Sequence, residues 1–199
     1  MTLRIIAGAL RGRRLATVPG LRTRPTADRT RESIFNILGN RVLNAQVLDL
    51  FAGTGAYGIE ALSRGAAAAV FVEIARQALK VLHGNVAACG LEALTRVIRW
   101  DAGRDLSGVA AGFGPFDLVF MDPPYHAGLV APALQHLAAA RCLAPNATIV
   151  VEHDDQEPVT AAAPYILDDR RRYGKTVVSF LAARPLKPAR DPIASFTID

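Results

Sequence analysis

With 199 residues, a net charge of +5 and a pI near 9.7, the chain has room for one sizeable core and a small appendage. Hydrophobic residues at 51% and charged residues at 21% exclude long disorder. No apolar run reaches the roughly 18 residues of a membrane span, and the start "MTLRIIAGALRGRR" lacks a secretory hydrophobic region, so the expected address is cytoplasmic with no membrane contact.

The basicity is uneven. Residues 1–41 carry nine arginines against Asp28 and Glu32, a balance of +7 that leaves −2 for the remainder. Concentrated arginine is the electrostatic footprint of a phosphate-backbone binder, although a solvated face reads the same from charge alone. In this segment the pattern predicts a short strand at residues 3–6, a turn built on "RGR", and a second strand at 15–18. After "PGLRTRPTADR" a helix follows, capped by Thr26 or Asp28, burying Ile34, Phe35, Leu38 and Val42 and leaving Arg29, Arg31 and Glu32 outside.

From residue 46 the apolar strands "QVLDLF", "AVFVE", "TRVIRW", "FDLVFM" and "ATIVVE" alternate with helical stretches at 57–64, 75–89 and 129–141. That alternation is the mark of an α/β fold, a parallel sheet with helices on both faces. Residues 102–112 are too broken by glycine to assign, while residues 165–168 and "TVVSFLA" close the sheet as a partly antiparallel pair. The expected organisation is a basic hairpin-and-helix extension over 1–45, a sheet domain over 46–185 and a tail over 186–199. Cys89 and Cys142 read as buried thiols, and neither they nor the four scattered histidines have ligand spacing, so no metal is expected.

In an open α/β sheet ligands sit at the carboxyl ends of the strands. Those ends carry Asp49 and Phe51, then Glu73, then Asp101, then Asp122. One polar ligand lying across the rim accounts for the four acids together. In "DLFAGTGAYGIEAL" the residues Gly53, Gly55 and Gly58 form G-x-G-x-x-G between a strand and a helix, with Glu73 twenty residues after Gly53. Taken alone this is also a dinucleotide fingerprint. Asp49 can meet an ammonium group that nicotinamide dinucleotides lack, and Asp101 can accept from an adenine amine; S-adenosylmethionine has both groups and the ribose hydroxyls that Glu73 suits.

Asp-x-Phe-x-Gly-x-Gly followed by Asp-Pro-Pro-Tyr resembles the class I S-adenosylmethionine-dependent methyltransferases that modify exocyclic amines of nucleobases. With "RIIAG", "RGRRL", "RPTADRTRESIFNIL", "VFMDPPY" and "RRRYGKTVVSF" over residues 3–182, the chain is similar to the RsmD family, the bacterial 16S ribosomal RNA guanine-N2 methyltransferases. Tyr57 departs from the smaller residue more usual there. The resemblance implies a Rossmann-like, seven-stranded mixed sheet, a cofactor held by Asp49, Phe51, Gly53, Gly55, Glu73, Asp101 and Ala102, and catalysis by Asp122, Pro123, Pro124 and Tyr125.

The chemistry explains why an apolar strand ends in "DPPY". A guanine amine is a poor nucleophile because its lone pair is delocalised into the ring. Asp122 and the main-chain carbonyl of Pro123 can each accept one amine hydrogen, favouring a pyramidal nitrogen. Two prolines restrict that backbone, and Tyr125 offers a face for a base removed from its stack. Arg11, Arg13, Arg14, Arg24 and Arg29 are expected on RNA phosphate, with Arg170 to Arg172 and Lys175 as either a second phosphate patch or a solvated turn. The expected partner is 16S ribosomal RNA in the small ribosomal subunit, acted on in assembled or protein-bound form by a monomer. The alternatives are an adenine-N6 methyltransferase, whose amine the same motif serves, and a catalytically silent RNA-binding protein, which would not need Asp122.

Overall fold

The computed structural model describes residues 3–18, 25–110, 113–157, 159–160 and 164–184. The expected tail over 186–199 and Arg24 lie outside these. In chain order the elements are α1 (Pro25–Leu38), β1 (Gln46–Leu50), α2 (Ala56–Ser63), β2 (Ala68–Glu73), α3 (Arg76–Cys89), β3 (Thr95–Arg99), α4 (Ser107–Ala110), β4 (Phe116–Met121), α5 (Val130–Ala140), β5 (Leu143–Asp154), β6 (Tyr165–Tyr173) and β7 (Thr176–Ala183). The strands form one seven-stranded sheet in the order β3-β2-β1-β4-β5-β7-β6. β1 to β5 pair in parallel, and β7 runs antiparallel to both β5 and β6. This is the mixed α/β sheet that the alternating pattern implies.

Strand composition follows position. The central β1 and β4 are buried almost throughout because both faces are covered, whereas the outermost β3 and β6 are mostly half-buried or exposed and carry charged residues that blunt the sheet edges. One face packs Val47, Phe71, Phe120, Val150 and Phe180 against α1, α2, α3 and the N-terminal arm. The other packs Leu48, Val119, Met121 and Ile149 against Leu106 and Val109 near α4 and Leu134 and Leu137 of α5. Leu3, Ile5 and Leu15 of the arm belong to the first core, so arm and sheet share a single apolar cluster on that face.

The arm corrects two expectations. Its hairpin is narrower than two strands: Ile5 N–H donates to Arg13 C=O and Gly12 N–H to Ile5 C=O, both at 2.9 Å, around one antiparallel bridge between Arg4 and Arg14. Beyond Leu15 the chain does not pair with residues 3–6. Instead the Asn85 side chain of α3 takes both backbone groups of Ala16, accepting from its N–H at 2.7 Å and donating to its C=O at 3.1 Å. Secondly, Arg31 is not outside but 3% exposed, and α1 begins at Pro25, ahead of both supposed caps. Proline at the first helical position forfeits no hydrogen bond, and Asp28 in the first turn accepts from Arg31 Nη2 at 3.0 Å.

Arg31 is buried because α2 presents an acid to it. Glu60, 0% exposed, accepts from the N–H groups of Ile6 and Ala7 at 2.8 and 3.0 Å and from Arg64 Nε at 2.7 Å. Its Oε2 stands 4.0 Å from Arg31 Nε, within ion-pair reach but without a hydrogen bond, while Arg31 Nη2 donates to Arg4 C=O at 2.8 Å. Gly8 completes the docking: with φ +85, a Cβ there would stand 1.8 Å from the Ser63 carbonyl oxygen. Only glycine lets the arm lie this close to the end of α2.

Further differences follow from burial and pairing. α4 forms inside the segment that sequence left unassigned, anchored by buried Leu106 and Val109. β6 extends through "RRRY" to Tyr173, because β7 offers a continuous partner as far as Thr176. Arg170, though exposed, donates to Ser179 Oγ at 3.3 Å and to Val159 C=O at 2.9 Å, while Arg171 and Arg172 pair with Asp169 and Asp155. Cys89 and Cys142 are free and buried, and burial raises both thiol pKa values. No helix among the described residues is long and apolar enough to cross a membrane.

Candidate active site

The strand order reverses between β1 and β4, with β2 and β3 on one side and β5 on the other. Such a reversal opens a crevice at the carboxyl ends of the two central strands. Register sets what stands there. Leu50 pairs with Val72 and with Met121, and Met121 pairs with Val151. One residue further on, Phe51, Glu73, Asp122 and Glu152 therefore share a level on four neighbouring strands.

The glycine loop is held from beneath and from the side. Asp49, 2% exposed, accepts from Gly58 N–H at 2.9 Å through Oδ2. Burial pushes its carboxyl up to about 8, against the Gly58 hydrogen bond, with the nearby Glu73 charge adding to the rise. Glu73 accepts three backbone N–H groups, from Gly53 at 2.8 Å, Ile74 at 2.8 Å and Ala75 at 2.7 Å. A carboxylate has about four acceptor positions, so the loop and the next helix start are fastened to an acid that keeps one more position. Asn85 Nδ2 adds a third hold, donating to Thr54 C=O at 2.9 Å.

The glycines divide the work. At Gly58 a Cβ would lie 2.3 Å from the Phe71 ring, so this residue exists for packing α2 on β2. At Gly53, with φ +55, the nearest atom to a Cβ would be the Phe51 carbonyl oxygen at 3.9 Å, so this backbone lies open to close approach. Phe51 itself adopts φ +60, a strained value for an aromatic residue that redirects the chain at the strand end. Asp101 accepts from Gly103 N–H at 3.0 Å and pairs with Arg104 at 3.2 Å, and Ala102 beside it is buried. Trp100 N–H donates to Glu73 C=O at 3.1 Å, which brings Asp101 next to the β2 end.

The Asp122–Tyr125 segment leaves β4 with Pro123 buried and Asp122 and Pro124 exposed. Tyr125 OH donates to Glu152 Oε1 at 3.0 Å and lies 3.0 Å from Thr176 Oγ1. Tyr57, from the first turn of α2, donates to the other oxygen of Glu152 at 2.6 Å, and its ring stacks on Phe120 with centroids 5.1 Å apart at 20°. Both phenols are shifted upward, chiefly by burial and then by the Glu152 charge, with Asp122 contributing to each. Both therefore remain hydrogen-bond donors at any working pH. Beyond Tyr125, Glu157 accepts from the backbone N–H groups of His126 and Gly128, and the exposed His126 ring lies 3.9 Å from Glu157 and Asp154.

The structure thus gathers Asp49, Gly53, Gly55, Glu73, Asp101 and Asp122 along one rim. Glu152 and Asn85 join them without having been singled out, and Tyr57, noted in the sequence only as a departure from the family pattern, joins them through its bond to Glu152. Glu152 had a visible signal, since "ATIVVE" also ends in an acid; Asn85 is a polar residue on the buried stripe of α3 beside Leu82 and Val86. The basic residues differ in their surroundings. Arg4, Arg11 and Arg29 line a cleft of about 480 Å³ shared with Asp28 and Glu32. Arg13, although exposed, donates to Ala88 C=O at the end of α3. Among the described residues, no group of three or more His, Cys, Asp or Glu is placed to hold a metal ion.

Comparison with known proteins covers nearly the whole chain. The family model described as "Conserved hypothetical protein 95" matches residues 3–182. The small-subunit rRNA methyltransferase D of Escherichia coli K12 is 41% identical over 153 residues, 76% of this chain and 75% of that protein. A candidate rRNA methyltransferase of Bacillus subtilis is 36% identical over 183 residues, 92% of this chain and all 100% of its own length. Among solved structures, a candidate methyltransferase of Escherichia coli superposes with a TM-score of 0.80 at 37% identity, covering 94% of this chain and 100% of that one.

Proposed function

The chain belongs to the Conserved hypothetical protein 95 family, the RsmD family, and from that premise we propose that it transfers a methyl group to the exocyclic N2 amine of a guanine in 16S ribosomal RNA, using S-adenosylmethionine. The observation that carries this reading is the register that sets Asp122, followed by Pro-Pro-Tyr, level with Phe51 beside the glycine loop. A methyl donor on that loop and an amine at Asp122 would then be neighbours.

The residues fit such a donor. Asp49 is a buried carboxyl held largely protonated near neutral pH by desolvation, so a ligand ammonium supplies the opposite charge that its ionised form needs. Gly53 leaves room for close approach, and Glu73 keeps an acceptor position for ribose hydroxyls. Asp101, with Ala102, stands one strand further out for the adenine amine. When bound, the cofactor supplies an electrophilic methyl; the protein's part is positioning and electrostatics. Asp122 and the Pro123 carbonyl accept the two amine hydrogens, which localises the lone pair, and the Asp122 carboxylate takes up the proton that leaves. Pro124 and buried Pro123 stiffen the turn, and Tyr125 offers its face to the unstacked base.

The substrate is RNA presented in assembled or protein-bound form, met in the cytoplasm by a single chain, with Arg11, Arg14 and Arg29 on phosphate. The test is methylation of small subunits from a strain lacking the enzyme, followed by mass analysis of the nucleosides. N2-methylguanosine in 16S RNA supports the reading, whereas N6-methyladenosine or no labelled base overturns it.

A further inference from the structure

We infer that Glu152 is a positioning residue that joins the glycine loop to the Asp122–Tyr125 segment by holding the phenols of Tyr57 and Tyr125 on its two carboxylate oxygens. The inference deepens the proposed methyl transfer and rests on the reading of Asp122 as the acceptor of the target amine.

The geometry carries it. Tyr57 lies between Gly55 and Gly58, on the side of the site that would hold the methyl donor; Tyr125 lies three residues after Asp122, on the side that would hold the base. The two phenols reach the same carboxylate at 2.6 and 3.0 Å, each on a different oxygen. Both are fixed elsewhere as well. The Tyr57 ring stacks on Phe120, two residues before Asp122, and Tyr125 OH touches Thr176, which is 6% exposed at the start of β7.

Glu152 itself has little freedom. It pairs across the sheet with Val178 of β7, and its neighbours Val151 and His153 are buried. An acid that accepts from two phenols, one on each oxygen, holds its partners at a set separation, because charge-assisted hydrogen bonds are stiffer and stronger than neutral ones. Methyl transfer needs donor and acceptor aligned to a fraction of an ångström. The clamp spans the gap between the two loops that must set that alignment.

Glu152→Ala, Glu152→Gln and the pair Tyr57→Phe with Tyr125→Phe test this through two readouts. In single turnovers on small subunits, Glu152→Ala should lower the transfer rate by roughly 10- to 100-fold while cofactor affinity stays within about threefold. Glu152→Gln, which keeps one acceptor oxygen and the same shape, should recover part of that rate. The second readout is amide hydrogen exchange of the cofactor-free protein. Exchange over residues 53–58 and 122–128 should quicken by about fivefold or more in Glu152→Ala and in the tyrosine pair, through more frequent local opening of both loops.

If Glu152→Ala does not fold, the tyrosine pair alone decides, since it removes the donors and leaves the carboxylate. Quickened exchange in one loop or neither overturns the inference. Loss of transfer in Glu152→Gln with undisturbed loops overturns it too, since the carboxylate would then act on the base itself. A wild-type enzyme that methylates nothing counts against the proposed function, and the exchange readout still judges the clamp.

Discussion

Asp49 is an acid that the fold strips of water and leaves with one N–H partner, and the consequence is a carboxyl that titrates near 8 rather than 3.8. The sign of the linkage follows. The folded chain holds a proton there that the unfolded chain gives up near 3.8, so stability from this group is complete below that pH and is lost as pH rises toward 8. A bound ammonium favours the ionised form, so cofactor binding at about pH 7 should release up to one proton, and affinity should rise between about pH 6 and 8. Calorimetry in two buffers of different ionisation heat measures the proton directly, and Asp49→Asn should abolish its release. Asp122, exposed at the far side of the crevice, should behave differently. Asp122→Ala should leave cofactor affinity within a few fold and lower the methyl-transfer rate by about 100-fold or more, as for loss of one oriented acceptor in the transition state. Equal losses in affinity and rate would instead place Asp122 in the cofactor site.

At the scale of elements, α2 is the joint of the molecule. Its first turn carries Tyr57 and Gly58 toward the site, while Glu60 and Ser63 receive the N-terminal arm. Glu60 alone satisfies two backbone N–H groups and the Arg64 Nε–H, and sets its charge against the buried Arg31. Removing it strands buried donors and a buried guanidinium, so Glu60→Ala should cost about 3 to 5 kcal/mol of unfolding free energy, measured by denaturant titration. A cost under about 1 kcal/mol would mean that the arm is held by its apolar residues alone. Periodicity identified α2 and α3 to within a residue, because their apolar stripes are strong. It could not identify Arg31 as buried. Its burial depends on Glu60, 29 positions away on another helix.

For the whole molecule, the charge asymmetry is what motivates the proposed phosphate contacts, and the structure divides that charge. Arg31 and Arg13 are committed to protein acceptors, the first in the core and the second at the end of α3. Arg11, Arg14 and Arg29 remain exposed on the arm and α1, and make no ion pair among the described residues. Neutralising these three should weaken binding to small subunits and flatten its salt dependence by up to about 0.7 to 0.9 log units per lost phosphate contact, leaving cofactor affinity intact. Arg13→Gln should change the salt slope little and lower stability, through loss of its bond to Ala88. An unchanged slope in the triple variant would mark those arginines as a solvated face.

What the sequence determined by itself was local or repetitive. The alternation of apolar runs and helical stripes specifies a covered parallel sheet, and the spacing from Gly53 to Glu73 specifies a glycine loop between strand and helix that meets the end of the next strand. Both signals lie within a few tens of residues, where chain geometry permits few arrangements. Tertiary structure decided what depends on register and on distant partners. Glu152 meets Tyr125 and Tyr57 only because β5 lies beside β4 with Val151 opposite Met121. Arg31, Arg170 and the second arm of the hairpin took partners from other elements of the fold, α2, β7 and α3. A charged or polar side chain carries no periodic signal for its partner. The partner is set by the low-dielectric surroundings, which make any unmet donor costly and exist only once the sheet has assembled.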